Sequence, residues 1–381
     1  MNSGTITKNM IIAIDARMYG ASQFSGIGTY IQKLTDELFM LDKTNEYILF
    51  LREPEFSRFN PPNERVTKVL TKVQHYTLTE QTSFILELMK HKFDLIHYPH
   101  FNSPILYRKK SICTIHDITP FYYPGHKAKS GFRQWAYRTV FKSTMHKSRK
   151  IIAVSNSTKR DIVRHFNINS EKIEVIHHGV DERFKIIENS GIISTVKEKF
   201  GITKPYIFFV SVWRSHKNIE GLIQAFNLLK KKHNLDIQLV LGGREDLHYT
   251  KVQDEINRSP FKHDIIATGF IEDDELPAIY NGASAFVVPS FIEGFGLIGI
   301  EAQNCGCPVV STNTSSMPET LGESALFFDP KNIEEMAKQI NLVLTDKKTN
   351  QELIDKAKYN VERFHWRKCA EQTLQIYKNL K

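Results

Sequence analysis

Short apolar segments alternate with helical patterns along most of this chain of 381 residues. Apolar runs of this length are typical of strands buried on both faces, and strands that alternate with helices form a parallel sheet. The pattern predicts strands at 10–16, 46–51, 93–99, 111–117, 150–155 and 172–181, and a second series at 206–212, 237–243, 264–270, 285–290, 307–312 and 325–330. The fold class is therefore α/β, with two doubly wound domains.

The stretch between the two series, 182–205, has a weaker pattern and is expected to hold the domain boundary. We predict a first domain at 1–190 and a second at 191–363. The C-terminal helix is expected at 364–381, and crossing back to the first domain is one option for it. Ligands of open parallel sheets bind beyond the carboxyl ends of the strands, so the loops that follow strands are the candidate sites.

Cysteine content and the start of the chain both indicate a cytoplasmic protein. Four cysteines are too few for a disulfide framework. Cys305 and Cys307 would be half of a zinc site, but no second pair has matching spacing. The first apolar run is short and is followed at once by Asp15 and Arg17, unlike a signal peptide, and no run approaches the length of a membrane span.

The whole chain has a formal net charge of +9, and the positive charge is concentrated in one part of it. No Asp or Glu occurs from Ile118 to Arg160, where ten basic residues fall: Lys127, Lys129, Arg133, Arg138, Lys142, Lys147, Arg149, Lys150, Lys159 and Arg160. Such a stretch attracts phosphates or is an ordinary solvated surface. Since no nucleic-acid-binding motif is present, we expect no nucleic-acid partner.

Two loops of the first half could approach a ligand. In "GASQFSGIGTY" (20–30), Gly26 and Gly28 allow close backbone contact, although a tight structural turn is an alternative. The third glycine of a dinucleotide-binding fingerprint is missing, which disfavours a dinucleotide oxidoreductase. His116 ends a strand in "TIHDITP", where it is either structural or able to exchange hydrogen bonds with a substrate.

Two loops of the second half combine charge with glycine. Arg214 and Lys217 lie between a strand and a helix, a pattern that favours a diphosphate site over an exposed basic turn. In "SFIEGFGLIGIEAQNCGCPVVS" (290–311), glycines expose backbone N–H groups at the start of a helix, and Glu293 and Glu301 flank them. Hydroxyl groups would satisfy both carboxylates, so the segment suits a sugar nucleotide.

The segment "EGFGLIGIE" resembles the E-x7-E motif of retaining glycosyltransferases of family 4, which have the GT-B fold. Six further segments resemble that family in the same order: "IAIDARMYGASQFSGIGTYIQKLTDEL", "TIHDITP", "IIAVSNSTKRDI", "VIHHGVD", "RSHKNIEGLIQAF" and "TGFIEDDELPAIYNGASAFVVPS". The resemblance implies two Rossmann-like doubly wound domains that face an inter-domain cleft. It also implies retention through front-face substitution.

The resemblance assigns catalytic roles to four residues. Glu293 is similar to the acid that contacts hydroxyls of the transferred sugar. Arg214 and Lys217 are similar to the pair that stabilises the diphosphate leaving group, although many members space this pair more widely. His116 resembles the histidine that reaches the sugar's primary hydroxyl.

The remaining expected donor-binding residues also follow from the resemblance. Glu301 resembles the acid that binds the donor ribose. The other positions contact the donor through backbone: Gly26, Gly28, Phe295, Gly296 and Leu297. No cofactor or metal is expected, although the acidic segment "EDDE" (272–275) leaves metal binding as an alternative.

The expected substrates come from a likeness to bacterial mannosyltransferases of surface-polysaccharide assembly. The donor is expected to be GDP-mannose, with a UDP- or ADP-hexose, or a nucleotide-sugar epimerase of the same fold, as alternatives. The acceptor is expected to be a saccharide or a lipid-linked saccharide. A basic helix with Phe132, Trp135, Ala136 and Val140 on one face suggests peripheral contact with the inner surface of an anionic membrane, with an ordinary half-buried helix as the alternative.

Overall fold

The computed structural model describes residues 9–20, 26–123, 131–246 and 249–381, without the side chains of Phe132 and Arg133. It divides into two compact units. Unit 1 comprises Met1–Gly179 and His365–Lys381, and unit 2 comprises Val180–Phe364. The first crossing between units thus lies earlier in the chain than the expected boundary at 190/191, and the last segment belongs with unit 1.

The elements of unit 1 follow the alternating order of the apolar pattern. Up to Gly179 they are β1 (Ile11–Asp15), α1 (Gly26–Leu41), β2 (Glu46–Leu51), α2 (Glu55–Arg58), β3 (Val66–Leu70), α3 (Ser83–Met89), β4 (Leu95–Tyr98), β5 (Ser111–Ile115), α4 (Thr119–Tyr122), α5 (Gly131–Lys147), β6 (Lys150–Ala153), α6 (Asn156–Phe166) and β7 (Ile173–Val175). All seven strands form one parallel sheet in the order β3-β2-β1-β4-β5-β6-β7.

Unit 2 repeats the same architecture. Its elements are α7 (Ser190–Lys199), β8 (Tyr206–Val210), α8 (Ile219–His233), β9 (Gln238–Gly242), α9 (Lys251–Arg258), β10 (Ile265–Gly269), α10 (Leu276–Gly282), β11 (Ala285–Val288), α11 (Leu297–Asn304), β12 (Val309–Thr312), α12 (Met317–Leu321), β13 (Ala325–Phe328), α13 (Ile333–Thr345) and α14 (Lys347–Val361). The parallel sheet has the order β10-β9-β8-β11-β12-β13.

The last helix, α15 (Trp366–Asn379), packs on α1 in unit 1. Its Tyr377 hydroxyl lies 2.7 Å from His97 Nδ1, and His97 Nε2 lies 2.9 Å from Thr114 Oγ1. Burial lowers the pKa of His97 to about 3, so the ring is neutral at physiological pH. A buried polar chain therefore joins the end of the sequence to the first sheet.

All twelve expected strand ranges contain an observed strand, but one edge strand and one surface helix were not predicted. The edge strand β3 was not predicted, because only Val66 of its five residues is buried and the segment lacks a continuous apolar run. Helix α7 was also missed, since none of its residues is buried. Ser155 caps α6, because its side chain accepts the Thr158 N–H.

The structure describes the state of the cysteines and the apolar length of the helices. All four cysteines are buried and free. Across the described ranges, no helix is long and apolar enough to cross a membrane.

Candidate active site

The strand order of unit 2 brings two of the expected loops together. The order in which strands are added to the sheet reverses at β8, since β9 lies on one side of it and β11 on the other. Ligands of such sheets bind at this point, beyond the carboxyl ends of the strands. Lys217 lies in the loop after β8, and Glu293 lies in the loop after β11. The two loops therefore meet at the edge of the sheet where this fold binds ligands.

Lys217 and Glu293 form a direct ion pair in this place. Lys217 Nζ lies 2.7 Å from Glu293 Oε1, and the side chains are 15% and 11% exposed. Ser290 Oγ donates to the same oxygen over 2.6 Å. Both partners bind Oε1, so Oε2 is the carboxylate oxygen suited to accept from a ligand. An ammonium carries three N–H donors, so Lys217 can bind an anion while it keeps Glu293.

The ion pair sets the protonation state of both loops. Burial alone would raise the pKa of Glu293, but the charge and hydrogen bond of Lys217, with Ser290, outweigh burial and lower it. The neighbouring His216 has its pKa lowered to about 4 by burial, and then by the charges of Lys217 and Arg214, against the opposing charge of Glu293. At neutral pH Glu293 is ionised and His216 is neutral.

Asn218 fixes the position of the Lys217 loop. Its φ of 53° is left-handed, a conformation that asparagine tolerates better than most residues. Its buried side-chain amide donates to the carbonyls of Pro289 and Pro330, at 3.1 and 2.8 Å. The loop after β8 is therefore fastened to the ends of β11 and β13. The Arg214 side chain, four positions earlier, is exposed at the start of the same turn.

Gly296 allows α11 to begin where it does. It caps the helix in the left-handed conformation, with φ of 84°, and a Cβ there would lie 2.5 Å from the buried Met317 Sδ. The helix then directs the N–H groups of its first turn, beginning at Leu297, towards the space at its amino end. Phe295 is buried and packs edge-on against Phe364 with ring centroids 5.5 Å apart. The buried ring of Phe295 is therefore withdrawn from solvent, and the backbone role of residues 295–297 stays a prediction.

Glu301, on α11, has a different environment from Glu293. Burial raises its pKa to about 7, and the charge of Arg183 and a 3.3 Å hydrogen bond from the Tyr280 hydroxyl only partly oppose this. Arg183 is itself bound at 2.8 Å to Asp273 of the acidic segment. The second residue of the expected carboxylate pair is therefore half protonated near neutral pH, whereas the first is ionised.

The raised pKa of Glu301 predicts a pH-dependent stability. The unfolded chain releases this proton near pH 4.5 and the folded chain near pH 7, so stability is full below about 4.5 and falls as pH rises to about 7. We expect Glu301→Gln to remove this fall. Urea unfolding of wild type and variant at pH 5, 6 and 7 measures it, with Glu334→Gln, an exposed acid of the same unit, as the control. If the difference in unfolding free energy between wild type and Glu301→Gln does not change with pH over this range, the pKa of the Glu301 carboxyl is not raised by folding.

His116 lies in unit 1, directly after β5. Its Nε2–H donates to the Pro99 carbonyl over 2.9 Å, and its ring packs edge-on against Tyr30. Burial lowers the pKa of His116, and the bond to Pro99 and the nearby charge of Asp117 oppose this only in part. The ring is thus neutral with its proton on Nε2, which leaves Nδ1 in the acceptor form. A hydroxyl donor suits that atom, and the role assigned to His116 stays a prediction.

The two glycines of the first loop differ in what they allow. A Cβ on Gly28 would lie 2.3 Å from the Gly20 carbonyl oxygen and 2.7 Å from that of Met18. A Cβ on Gly26, at the start of α1, would meet none of the described atoms within 4 Å. Residues 21–25 of this loop lie outside the described residues. Gly28 therefore has a steric reason to be glycine, and the described atoms give no such reason for Gly26.

We expect Gly28→Ala to lower the free energy of unfolding by at least about 2 kcal/mol, because backbone atoms must move. Gly26→Ala, a matched change two residues away, is expected to have an effect within about 0.5 kcal/mol. Chemical denaturation of both variants measures this difference. Equal effects would show that the turn is not packed as the structure has it.

Several contacts of the site were not predicted from the sequence. Tyr280 and Ser290 lie in segments that resemble the family but were assigned no role, and Arg183 lies in none of those segments. The acidic segment is bound to cations, with Asp273 on Arg183 and Glu275 on Lys199. In the described part of the chain, no three His, Cys, Asp or Glu side chains are grouped as metal ligands.

The basic stretch of the first unit is only partly described. Lys127 and Lys129, and the side chains of Phe132 and Arg133, lie outside the described residues. On α5, Phe141 and Met145 are buried in the core, Ala136 and Val140 are half-buried, and Trp135 is 62% exposed. The face named from the sequence is therefore not the core-facing one, and membrane contact stays a prediction.

Comparison with known proteins identifies the family of the chain. The model for "Glycosyl transferases group 1" matches residues 193–360, and the model for "Glycosyltransferase Family 4" matches residues 24–184. Together they span most of both units. The chain belongs to the family 4 glycosyltransferases.

Relatives of this glycosyltransferase include bacterial mannosyltransferases. O-antigen chain mannosyltransferase B of Escherichia coli is 28% identical over 309 residues, which are 81% of this chain and 80% of that protein. The serotype-specific mannosyltransferase WbdA of Escherichia coli is 28% identical over 71% of this chain, but the match spans only 34% of WbdA.

A solved structure confirms the GT-B fold of this glycosyltransferase. HepE of Anabaena, solved in complex with UDP-glucose, has a TM-score of 0.76 at 17% identity, over 97% of this chain and 99% of that one. At this identity the likeness concerns the fold alone.

Proposed function

We propose that this glycosyltransferase moves mannose from GDP-mannose, with retention of configuration, to a saccharide or lipid-linked saccharide in surface-polysaccharide biosynthesis. The ion pair of Lys217 and Glu293 at the amino end of α11 is the observation that carries the proposal. It joins a cation for the diphosphate to a carboxylate for sugar hydroxyls within 2.7 Å. The names of the mannosyltransferase relatives support the choice of sugar and pathway.

The proposed donor contacts use the N–H groups of Lys217 and the carboxylate oxygen of Glu293 that are not engaged in the ion pair. Lys217 keeps Glu293 with one N–H and offers the others to the diphosphate, where Arg214 and the first turn of α11 add positive charge. Glu293 Oε2 accepts hydroxyls of the sugar. Glu301 accepts the ribose hydroxyls in its ionised form, so nucleotide affinity rises as pH rises through about 7, the value to which burial raises the pKa of Glu301.

The proposed reaction is a front-face substitution. A double displacement needs a carboxylate at the anomeric carbon, whereas Glu293 is assigned to the hydroxyls. The bond from the anomeric carbon to the diphosphate breaks, and the acceptor oxygen bonds to the same face. The acceptor's proton passes to the departing diphosphate oxygen. Lys217, Arg214 and α11 stabilise the negative charge that develops there, so no metal ion is required.

The acceptor side of the proposal includes the membrane. A lipid-linked acceptor would require contact with an anionic bilayer, and the exposed Trp135 beside Arg138 suits such contact. Wild type is expected to sediment with anionic vesicles at low salt, and Trp135→Ala to do so more weakly. Equal sedimentation of both proteins would reject this face.

Calorimetry with GDP, UDP and ADP tests the donor. We expect GDP to bind at least tenfold more tightly than UDP or ADP. Preference for UDP would replace the mannose donor by a UDP-hexose, the ligand of the HepE structure. Product analysis by mass spectrometry after incubation with GDP-mannose then separates the reactions: transfer adds a hexose to the acceptor, whereas an epimerase releases a free sugar or an isomer without an acceptor.

A further inference from the structure

Three neighbouring strands of unit 1 begin directly after basic residues. Lys110 precedes β5, Arg149 precedes β6 and Lys172 precedes β7. Strand β6 pairs in parallel with both β5 and β7, and the Arg149 N–H donates to the Ser111 carbonyl over 2.7 Å. The three basic residues therefore converge at the amino edge of the sheet, opposite the edge where His116 lies.

A cavity of about 300 Å³ lies at this edge. Six basic side chains line it: Arg108, Lys109, Lys110, Lys147, Arg149 and Lys172. No acidic side chain lines it, and none of the six forms an ion pair with a carboxylate in the described part of the chain. A cavity with this much uncompensated positive charge favours an anion of several negative charges.

Three of the four lysines that line the cavity donate hydrogen bonds to neutral carbonyl groups. Lys172 Nζ donates to the His146 carbonyl and Lys110 Nζ to the Leu380 carbonyl, each at 2.7 Å. Lys147 Nζ donates to the Pro104 carbonyl. Carbonyl oxygens fix these ammonium groups without neutralising their charge, so the positive potential of the cavity persists.

The two arginines supply groups that can bind directly. The side chains of Arg108 and Arg149 are exposed and make no hydrogen bond with the described residues. Guanidinium groups bind phosphate oxygens in a forked, two-bond geometry that lysine lacks. Lysines held by hydrogen bonds, together with two exposed arginines, are the groups that a phosphate-binding site requires.

The charges in the cavity already act on one another. Burial, with a contribution from the charge of Arg108, lowers the pKa of Lys147 to about 8. Burial and then the charge of Arg149 lower the pKa of Lys172. A bound anion would raise the pKa of both lysines, because it opposes this repulsion.

We propose that this cavity binds a phosphate group, carried by a free phosphate compound or by the headgroup of an anionic lipid. The site lies outside the loops that follow the strands, so it is separate from the donor-binding residues of unit 2 in both sequence and fold. It therefore acts as an additional anchoring or regulatory site of the transferase.

Binding of inorganic phosphate at constant ionic strength tests the proposal. Isothermal titration calorimetry compares wild type, Arg108→Gln/Arg149→Gln, and Arg160→Gln/Arg164→Gln, which loses the same charge from exposed positions on α6. We expect at least a tenfold weaker dissociation constant in the first variant and a change within twofold in the second. Phosphate binding that Lys217→Ala retains and Arg108→Gln/Arg149→Gln loses belongs to this cavity rather than to the donor site. Thermal unfolding of each variant verifies folding.

Vesicle sedimentation distinguishes the source of the phosphate. If phosphatidylglycerol vesicles, but not phosphatidylcholine vesicles, bind wild type and the α6 variant and not the cavity variant, the headgroup is the ligand. Phosphate binding without this vesicle difference indicates a free phosphate compound. The proposal is overturned if wild type binds neither probe, or if both double variants lose binding equally.

Discussion

Lys217→Ala is expected to lower kcat by about a hundredfold or more, the effect of removing one preorganised donor from a developing negative charge. The residue is fixed for this role: its loop is fastened by Asn218, and its ammonium lies 2.7 Å from Glu293. Steady-state release of GDP from GDP-mannose measures the change. Lys217→Arg keeps the charge and should retain more activity than the alanine variant.

The same variant should reveal the coupling to Glu293. Without Lys217, burial is opposed mainly by Ser290, so the pKa of Glu293 rises. The acid limb of the activity profile should therefore move to higher pH. Lys232→Ala, an exposed lysine on α8 of the same unit, is the control and should change neither property. A kcat near that of wild type in Lys217→Ala would refute the leaving-group role.

Glu293→Gln is expected to lower kcat by a similar factor of about a hundred, because hydrogen bonds to a charged acceptor contribute roughly 1.5–3 kcal/mol. The amide keeps the size of the side chain but accepts sugar hydroxyls more weakly, and it leaves Lys217 without its carboxylate. Single-turnover rates with GDP-mannose measure the chemical step. Glu323→Gln, at an exposed position of unit 2, is the matched control.

The two substitutions together test whether the pair acts as a unit. Residues in contact give non-additive effects, so Lys217→Ala/Glu293→Gln should be close to the worse single variant. Losses that multiply would show that the two side chains act independently, against the proposed site.

The sequence pattern was sufficient to predict the strands with buried faces. It failed for β3 because an edge strand with one buried residue has no continuous apolar run. It failed for α7 because a helix without buried residues leaves no periodic stripe. Both elements lie at the periphery, where packing imposes little on composition.

The sequence predicted the site residues that lie in recognisable motifs, but not the contacts between them. Separate motifs indicated Lys217 and Glu293. Their contact requires β8 and β11 to be neighbours in the sheet, and a local sequence pattern does not determine strand order. Arg183 lies beside Glu301 through tertiary packing alone. The convergence of Lys110, Arg149 and Lys172 likewise required the order of β5, β6 and β7.

The central claim is that the Lys217–Glu293 pair and the amino end of α11 bind the diphosphate and the sugar of the donor. A crystal structure of the protein soaked with GDP-mannose tests it most directly. We expect diphosphate oxygens within about 3 Å of Lys217 Nζ and of the first N–H groups of α11, with a sugar hydroxyl on Glu293. A diphosphate bound away from both Lys217 and α11 would contradict the account.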